Sequence, residues 1–200
     1  MVKNLSIGVL GIQGAVSEHV TSMTNALKET NTHGKVFFVK NKREINDIDG
    51  LIIPGGESTT ISGVLYKSGL YDTISKRLKE NSLPIMGTCA GCVLLAKEIV
   101  GNTKEIKLLH AMDMRVERNA FGRQKESFEQ DINIKGFSSP YHAVFIRAPI
   151  IKKVWEECEV LAIIAKKIVA ARQDKFLALS FHPELTSNLR IHKYFLKMIV

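Results

Sequence analysis

Residues 83–100, LPIMGTCAGCVLLAKEIV, carry the reading of the fold. LPIMGT is a short apolar run that reads as a buried strand, and the spacing that follows predicts a helix over 90–100. The two are joined by GTCAGC, in which Gly87, Ala90 and Gly91 surround Cys89 with almost no side-chain bulk. A strand that turns sharply into a helix is the unit of a parallel α/β sheet. The flanking sequence repeats it. LSIGVL (5–10), KVFFVK (35–40) and DGLIIPGG (49–56) read as further strands, the last running into a loop. Val16, Val20, Met23 and Leu27 recur at helical spacing between the first two, and residues 70–81 read as another helix.

Beyond about residue 106 the pattern changes. HAMDMRVERN, SFEQDINIKGF, HAVFIRAP, CEVLAIIA, KIVAARQ and FLALSFHPEL read as six strands with little helix between them. They predict hairpins that extend the sheet or form a small second one. The end, TSNLRIHKYFLKMIV, reads as a closing helix capped by Thr186 or Ser187. The expected architecture is α/β: a three-layer sandwich with a mostly parallel central sheet and extra antiparallel strands in the C-terminal half. It is expected to form one domain over 1–200, with no repeat or linker.

Composition narrows the function. Three cysteines in 200 residues provide no disulfide framework. The net charge of +8 is spread over NKRE, KRLKE, IKK and AKK rather than clustered, which argues against a nucleic-acid surface. No stretch reaches the length of a membrane span. The start, MVKNLSIGVLGIQGAV, is interrupted by Gln13 and glycines, so it reads as a first strand and loop rather than a signal peptide. A cytoplasmic location is expected.

In sheets of this kind ligands bind beyond the carboxyl ends of the strands, and three loops there are unusual. The first is GTCAGC. A nucleophile on a strained turn needs small neighbours, and a following helix places its positive end at the sulfur. Ala90 N–H would point to where an oxyanion forms. Taken alone, Cys89 fits buried packing equally well. The spacing to Cys92 also leaves a dithiol or half of a zinc site open, although no second Cys-x-x-Cys is present. The second loop is PGGESTT (54–60). Its glycines permit close backbone approach to a ligand, and Ser58, Thr59 and Thr60 offer hydroxyls for a helix cap or a polar ligand. A phosphate loop would require a Gly-Lys pair that is missing. The third is SFHPEL (180–185). In extended chain His182 and Glu184 share a face, and Pro183 keeps the segment from becoming helix. A carboxylate beside an imidazole holds its tautomer and stabilises the imidazolium.

Cys89, His182 and Glu184, with a glycine loop upstream, resemble the triad of class I glutamine amidotransferases. More narrowly, the chain resembles the glutaminase subunits of pyridoxal 5′-phosphate synthase. The match rests on GVLGIQGAVSEH (8–19), DGLIIPGGESTT (49–60), GTCAGCVLLAKE (87–98), VERNAFGRQKESFE (116–129), FIRAP (145–149), IVAARQ (168–173) and SFHPELT (180–186). The resemblance implies an oxyanion hole from Gly56 and Ala90, and L-glutamine held by Gly56, Glu57, Ser58, Arg118, Ile146 and Arg147. It places Gln13 in a loop near the oxyanion hole and the subunit contact. It implies no metal and no cofactor. The implied partner is a (β/α)₈ synthase subunit in a hetero-oligomer, which receives ammonia through a tunnel. Cys92 departs from the family's usual apolar residue, and Lys107 from its lead-in to VERN. Cys158 is expected in the core. His19, His110, His142 and His192 carry no constellation legible in the sequence.

Overall fold

In the computed structural model, which describes residues 4–101, 105–121 and 127–200, the first strand, β1 (Leu5–Leu10), lies between two parallel neighbours. These are β2 (Gly34–Val39) and β3 (Gly50–Ile53). β3 pairs in parallel with β4 (Ile85–Thr88), and β4 with β12 (Phe176–Leu179), so five adjacent strands run the same way. The sheet then continues antiparallel through β11 (Lys167–Gln173), β9 (Ile150–Val154) and β6 (Met112–Glu117). A short strand, β5 (Ala96–Ile99), closes that edge parallel to β6, and β10 (Glu159–Ile164) pairs with β11. A separate hairpin consists of β7 (Ser127–Ile132) and β8 (Tyr141–Ile146).

The alternation of side chains across the sheet builds two apolar layers. Leu51 and Ile53 of β3 and Ala178 of β12 face one layer; Ile52, Leu177 and Leu179 face the other. The first is covered by α2 (Lys42–Asn46), α3 (Ser58–Lys67), α4 (Leu70–Lys79) and α5 (Ala90–Leu95), through Ile45, Ile61, Leu65, Ile74 and Val93. The second is covered by α1 (Val16–Glu29) and α6 (Arg190–Ile199), through Met23, Leu27, Ile191 and Phe195, together with Tyr141 and Phe145 of the hairpin. This is the expected three-layer α/β arrangement. Each fully buried Leu or Ile contributes about 1.5–3 kcal/mol, against about 0.2–1 kcal/mol for an exposed ion pair such as Lys76–Glu80. The layers, not the surface charges, hold the fold.

Several sequence expectations are corrected. The helix expected over 90–100 ends at Leu95, where Ala96 turns extended (φ −65°, ψ 153°) and the chain enters β5. The edge of β6 takes up the backbone of 96–99, with the Ala96, Lys97, Glu98, Ile99 side chains running buried, exposed, exposed, half-buried. Pairing with a strand sixteen residues later outweighs local helix preference. The NKRE charge run begins with a capping box: the Asn41 side chain accepts from Glu44 N–H, and Glu44 accepts in return from Asn41 N–H. The closing helix starts at Arg190 rather than after Thr186 or Ser187, and Asn188 Oδ1 accepts from Arg190 N–H at its start. FLALSFHPEL is strand only as far as Leu179. β9 and α2 had no counterpart in the sequence reading, and α3 was expected only as the helix that follows the PGGESTT loop. Cys92 is fully buried, Cys158 lies in the same apolar layer, and all three cysteines are free. Burial pushes the Cys92 thiol far above its ordinary pKa. Of the stretch VERNAFGRQKESFE (116–129), residues 122–126 lie outside the described residues.

Candidate active site

Three parallel strands end side by side, and each delivers one part of the site. β4 ends at Thr88, and Cys89 follows with φ 50° and ψ −103°, a left-handed conformation that a side-chain-bearing residue adopts only under constraint. The constraint is visible. Cys89 N–H donates to Leu179 O of β12 at 2.8 Å, tying the turn to the neighbouring strand. A Cβ on Gly91 would lie 2.1 Å from Ile53 O, and one on Gly87 2.5 Å from the backbone of Gly91. The small residues seen in the sequence are therefore required by backbone contact. With six residues, α5 is too short for the helix-dipole contribution expected from a helix over 90–100. Ala90, at the first helical position, retains a backbone N–H with no intrahelical partner.

β12 leads into His182 and Glu184. Pro183 does not hold this segment extended, as the sequence suggested; it starts a 3₁₀ turn over Pro183–Leu185. Proline fits the first position of such a turn because its fixed φ is helical and no N–H is needed there. The turn, rather than strand alternation, brings the two side chains together. His182 Nδ1–H donates to Glu184 Oε1 at 2.7 Å. Both residues are buried, and His182 N–H is held by Val144 O of β8 at 2.8 Å. Burial opposes charge on the His182 ring, but hydrogen bonds with Cys89 and Glu184, and their negative charge, overcome it and raise its pKa to about 10. Burial also opposes charge on Glu184, yet the charges and hydrogen bonds of His19 and His182 hold it well below the ordinary carboxylate range.

β3 ends in the loop Pro54–Gly55–Gly56. A Cβ on Gly55 would come within 2.5 Å of His182 Cε1 and 3.3 Å of Cys89 Cβ, so this α-carbon is packed between the two reactive side chains. Gly56 has φ 140°, in the region that favours glycine. Glu57 caps α3 by accepting from Thr60 N–H at 2.8 Å and Thr59 Oγ1–H at 2.9 Å, whereas Ser58 is already helical; the expected cap was one residue off. Gln13 lies against this loop, its Oε1 accepting from Glu57 N–H at 2.9 Å.

A cavity of about 290 Å³ opens over Cys89. Cys89, Ala90, His182, Gly56, Glu57, Ser58, Arg118, Ile146 and Arg147, all singled out in the sequence, line it. Val93, Asn119 and Pro149 join them without having been foreseen. Arg118 donates to Glu57 Oε1 at 2.7 Å, bridging the cavity from the end of β6 to the start of α3. Partial burial works against the Glu57 charge, and its hydrogen bonds to Thr60 and Thr59 together with Arg118 lower its pKa nonetheless. Ile146 presents its carbonyl to the site, accepting from Cys89 Sγ–H at 3.8 Å, and Arg147 follows with φ 42°. Glu184 and Gln13 stand behind the lining rather than in it. The arrangement offers a sulfur nucleophile, an imidazole held by a carboxylate, and two guanidinium groups placed for a planar anion. Among the described residues, no three His, Cys, Asp or Glu side chains converge as a metal site requires.

The sequence reading missed His19 and His192, both fully buried. His19 Nε2 lies 3.1 Å from Glu184 Oε2, and His19 Nδ1 lies 3.2 Å from His192 Nε2. The signal was present. His19 falls on the stripe Val16, Val20, Met23 and Leu27, and His192 sits beside Ile191 and Phe195 on the buried face of α6.

Residues 9–200 match the model of the SNO glutamine amidotransferase family. The chain belongs to that family. As an SNO glutamine amidotransferase it has relatives across nearly its full length. A Methanococcoides burtonii protein named pyridoxal 5′-phosphate synthase subunit PdxT is 50% identical over 96% of this chain and 98% of its own. The protein of the same name from Pyrococcus furiosus is 47% identical over 98% and 100%. A crystal structure of a glutamine amidotransferase superposes with a TM-score of 0.86 at 46% identity, covering 96% of this chain and 98% of that one. A glutamine amidotransferase from Thermotoga maritima, 14% identical, shares the fold with a TM-score of 0.63 over 95% of this chain and 80% of its own.

Proposed function

We propose that the chain hydrolyses L-glutamine to L-glutamate and ammonia, with Cys89 as nucleophile, His182 as acid and base, and Glu184 as the group that orients His182. The observation that carries this is the strained Cys89 turn facing a His182 ring held 2.7 Å from Glu184, beneath a cavity with two arginines. The Cys89 thiolate attacks the side-chain amide carbon of glutamine, and the carbonyl π electrons move to oxygen. Gly56 and Ala90 N–H groups would receive that oxyanion; loss of one such donor typically costs about 10²–10³ in rate. Collapse of the intermediate breaks the C–N bond, and His182 gives its proton to the departing ammonia. His182 then takes a proton from water, which attacks the thioester and releases glutamate and Cys89. Arg118 and Arg147 hold the α-carboxylate of glutamine, with Glu57, Ser58 and the Ile146 backbone completing the subsite, and Gln13 supports the oxyanion loop.

The relatives are named as subunits of pyridoxal 5′-phosphate synthase. On that basis the ammonia passes to a (β/α)₈ synthase subunit in a hetero-oligomer, in the cytoplasm, and this chain acts as one glutaminase domain. No helix among the described residues is long and apolar enough to cross a membrane. Glutamate release by the wild type and by Cys89→Ala, with and without the synthase subunit, tests the reading. Activity that rises with the synthase and is lost in Cys89→Ala supports it. Activity indifferent to the synthase would remove the partner, and activity retained in Cys89→Ala would remove the nucleophile.

A further inference from the structure

Behind the site lies a buried line of polar groups that the hydrolysis described above does not use. Glu184 spans it: Oε1 accepts from His182, and Oε2 faces His19 Nε2 at 3.1 Å. That second contact is close but not aligned as a regular hydrogen bond, and Oε2, fully buried, has no other hydrogen-bond partner among the described residues. His19 Nε2 also lies 3.2 Å from Thr88 Oγ1, the residue before Cys89, and His19 Nδ1 lies 3.2 Å from His192 Nε2. His19 comes from α1, His192 from α6, Thr88 from β4 and Glu184 from the 3₁₀ turn, so four separate elements meet at one imidazole.

The direction of the protons follows from what is unpartnered. His192 Nδ1 is buried with no hydrogen-bond partner. A bare lone pair there costs less than a stranded N–H, so the His192 proton belongs on Nε2 when His19 accepts. His19 Nδ1 is then the acceptor and its own proton sits on Nε2, toward Thr88 and Glu184. The opposite tautomer would turn a lone pair of His19 toward the carboxylate and strand the His192 proton on Nδ1, two faults at once. In the favourable arrangement the Nε2 proton lies between Thr88 Oγ1 at 3.2 Å and Oε2 at 3.1 Å.

We infer that His19 is a positioning residue for the reaction: its Nε2–H holds Oε2 of Glu184 so that the carboxylate stays ionised with Oε1 on His182, and His192 sets the tautomer that allows this. The inference rests on the glutaminase reading above. When the Cys89 proton reaches His182, the imidazolium needs an ionised, immobile carboxylate on its other nitrogen. Burial alone would drive Glu184 toward its neutral form, and His19 is the group that opposes this from the side His182 does not occupy. The titratable groups around the carboxylate are His182 and Cys89 on the cavity side, His19 from α1, His192 from α6 and Tyr141 from β8. Glu18 borders the outer groove next to Glu184. His19 does not line the substrate cavity. Its loss should therefore act on kcat and leave the KM for glutamine alone.

The test is steady-state glutamate release across pH 5–9 in the complete assembly with the synthase, comparing wild type, His19→Leu and His19→Gln. His19→Leu is expected to lower kcat by about 10- to 100-fold, taking the loss typical when the partner that orients a metal-ligating side chain is removed as the measure for a comparable orienting contact. It should shift the acid limb of kcat to higher pH, because Glu184 protonates more easily, with KM unchanged. His19→Gln, whose amide both donates toward Oε2 and accepts from His192, recovers most of the rate and moves the acid limb back. If His19→Leu does not fold, His19→Asn carries the test: its shorter amide does not reach Oε2, and the same losses are expected. An acid limb and kcat at wild-type values in the leucine or asparagine variant would overturn the inference, as would a glutamine variant as impaired as leucine. Absence of Cys89-dependent glutamate from the wild type would instead overturn the glutaminase reading.

Discussion

The ring of His182 rests on the bare α-carbon of Gly55, where a Cβ would stand 2.5 Å from His182 Cε1 and 3.3 Å from Cys89 Cβ. The gap between nucleophile and base is thus set by a residue that touches both and reacts with neither. Gly55→Ala is expected to leave the protein folded, because the added methyl meets a ring that can move rather than a backbone. The displaced ring should lower kcat for glutamine by about 10²-fold, the cost of a misplacement near 1 Å. Thermal unfolding and kinetics on one preparation check this; a fully active Gly55→Ala would show that His182 is not held by this contact.

His182 should titrate far above an ordinary histidine. Its elevated pKa, about 10, arises from Cys89 and Glu184 acting against burial. Removing either partner removes part of that rise, so Cys89→Ala and Glu184→Gln should each lower the His182 pKa relative to wild type. Two-dimensional NMR of the imidazole protons between pH 5 and 11 follows it directly. A wild-type ring titrating at its ordinary 6.5, or variants titrating above wild type, would contradict this account.

Acid should destabilise the fold through His192. Burial, helped by the charge of His19, depresses its pKa from 6.5 to about 3. The unfolded chain then binds a proton below pH 6.5 that the folded chain refuses. The penalty from His192 is absent above 6.5 and grows as pH drops toward 3, with a limiting slope of about 1.4 kcal/mol per pH unit for this single proton. Glu184 adds its own loss only below about its ordinary 4.5, since its folded pKa lies lower still. Between pH 6.5 and 4.5 the difference in slope between wild type and His192→Gln isolates the histidine. Urea denaturation at several pH values measures it, and equal slopes would place the acid sensitivity elsewhere.

Arg118 should act on substrate binding. Its guanidinium spans from β6 to Glu57 and faces the cavity. Lysine cannot reproduce a planar, two-point grip on Glu57 and a substrate carboxylate together. Arg118→Lys is expected to raise the KM for glutamine by about tenfold or more, in line with about 1.5–3 kcal/mol for a hydrogen bond to a charged group, with a smaller effect on kcat. Glutamine saturation curves separate the two; a change confined to kcat would move Arg118 from binding to catalysis.

The site residues were legible to the extent that their roles are local. Cys89 among small residues, the Gly55–Gly56 loop and the His182–Glu184 pair are neighbours in the chain, and each announced itself by residue type and spacing. The reason offered for the last pair was wrong in detail: the 3₁₀ turn at Pro183, not strand alternation, joins them. Arg118, Ile146 and Arg147 were visible only through resemblance, because nothing near them in sequence says that β6 and β8 end over Cys89. The helix expected over 90–100 failed for a related reason. The register Ala96↔Met112 that converts its second half to β5 is a tertiary pairing.

The sequence by itself determined what short-range physics controls: which segments are apolar strands and helices, where glycine or alanine is obligatory, and which pair of neighbours forms the imidazole–carboxylate unit. Tertiary structure alone decided what depends on segments far apart meeting. His19 and His192 are separated by 173 positions, and each reads as an ordinary member of an apolar helix face. They become a polar pair behind Glu184 only because α1 and α6 cover the same side of the sheet, where a buried carboxylate oxygen needs a donor that water cannot supply.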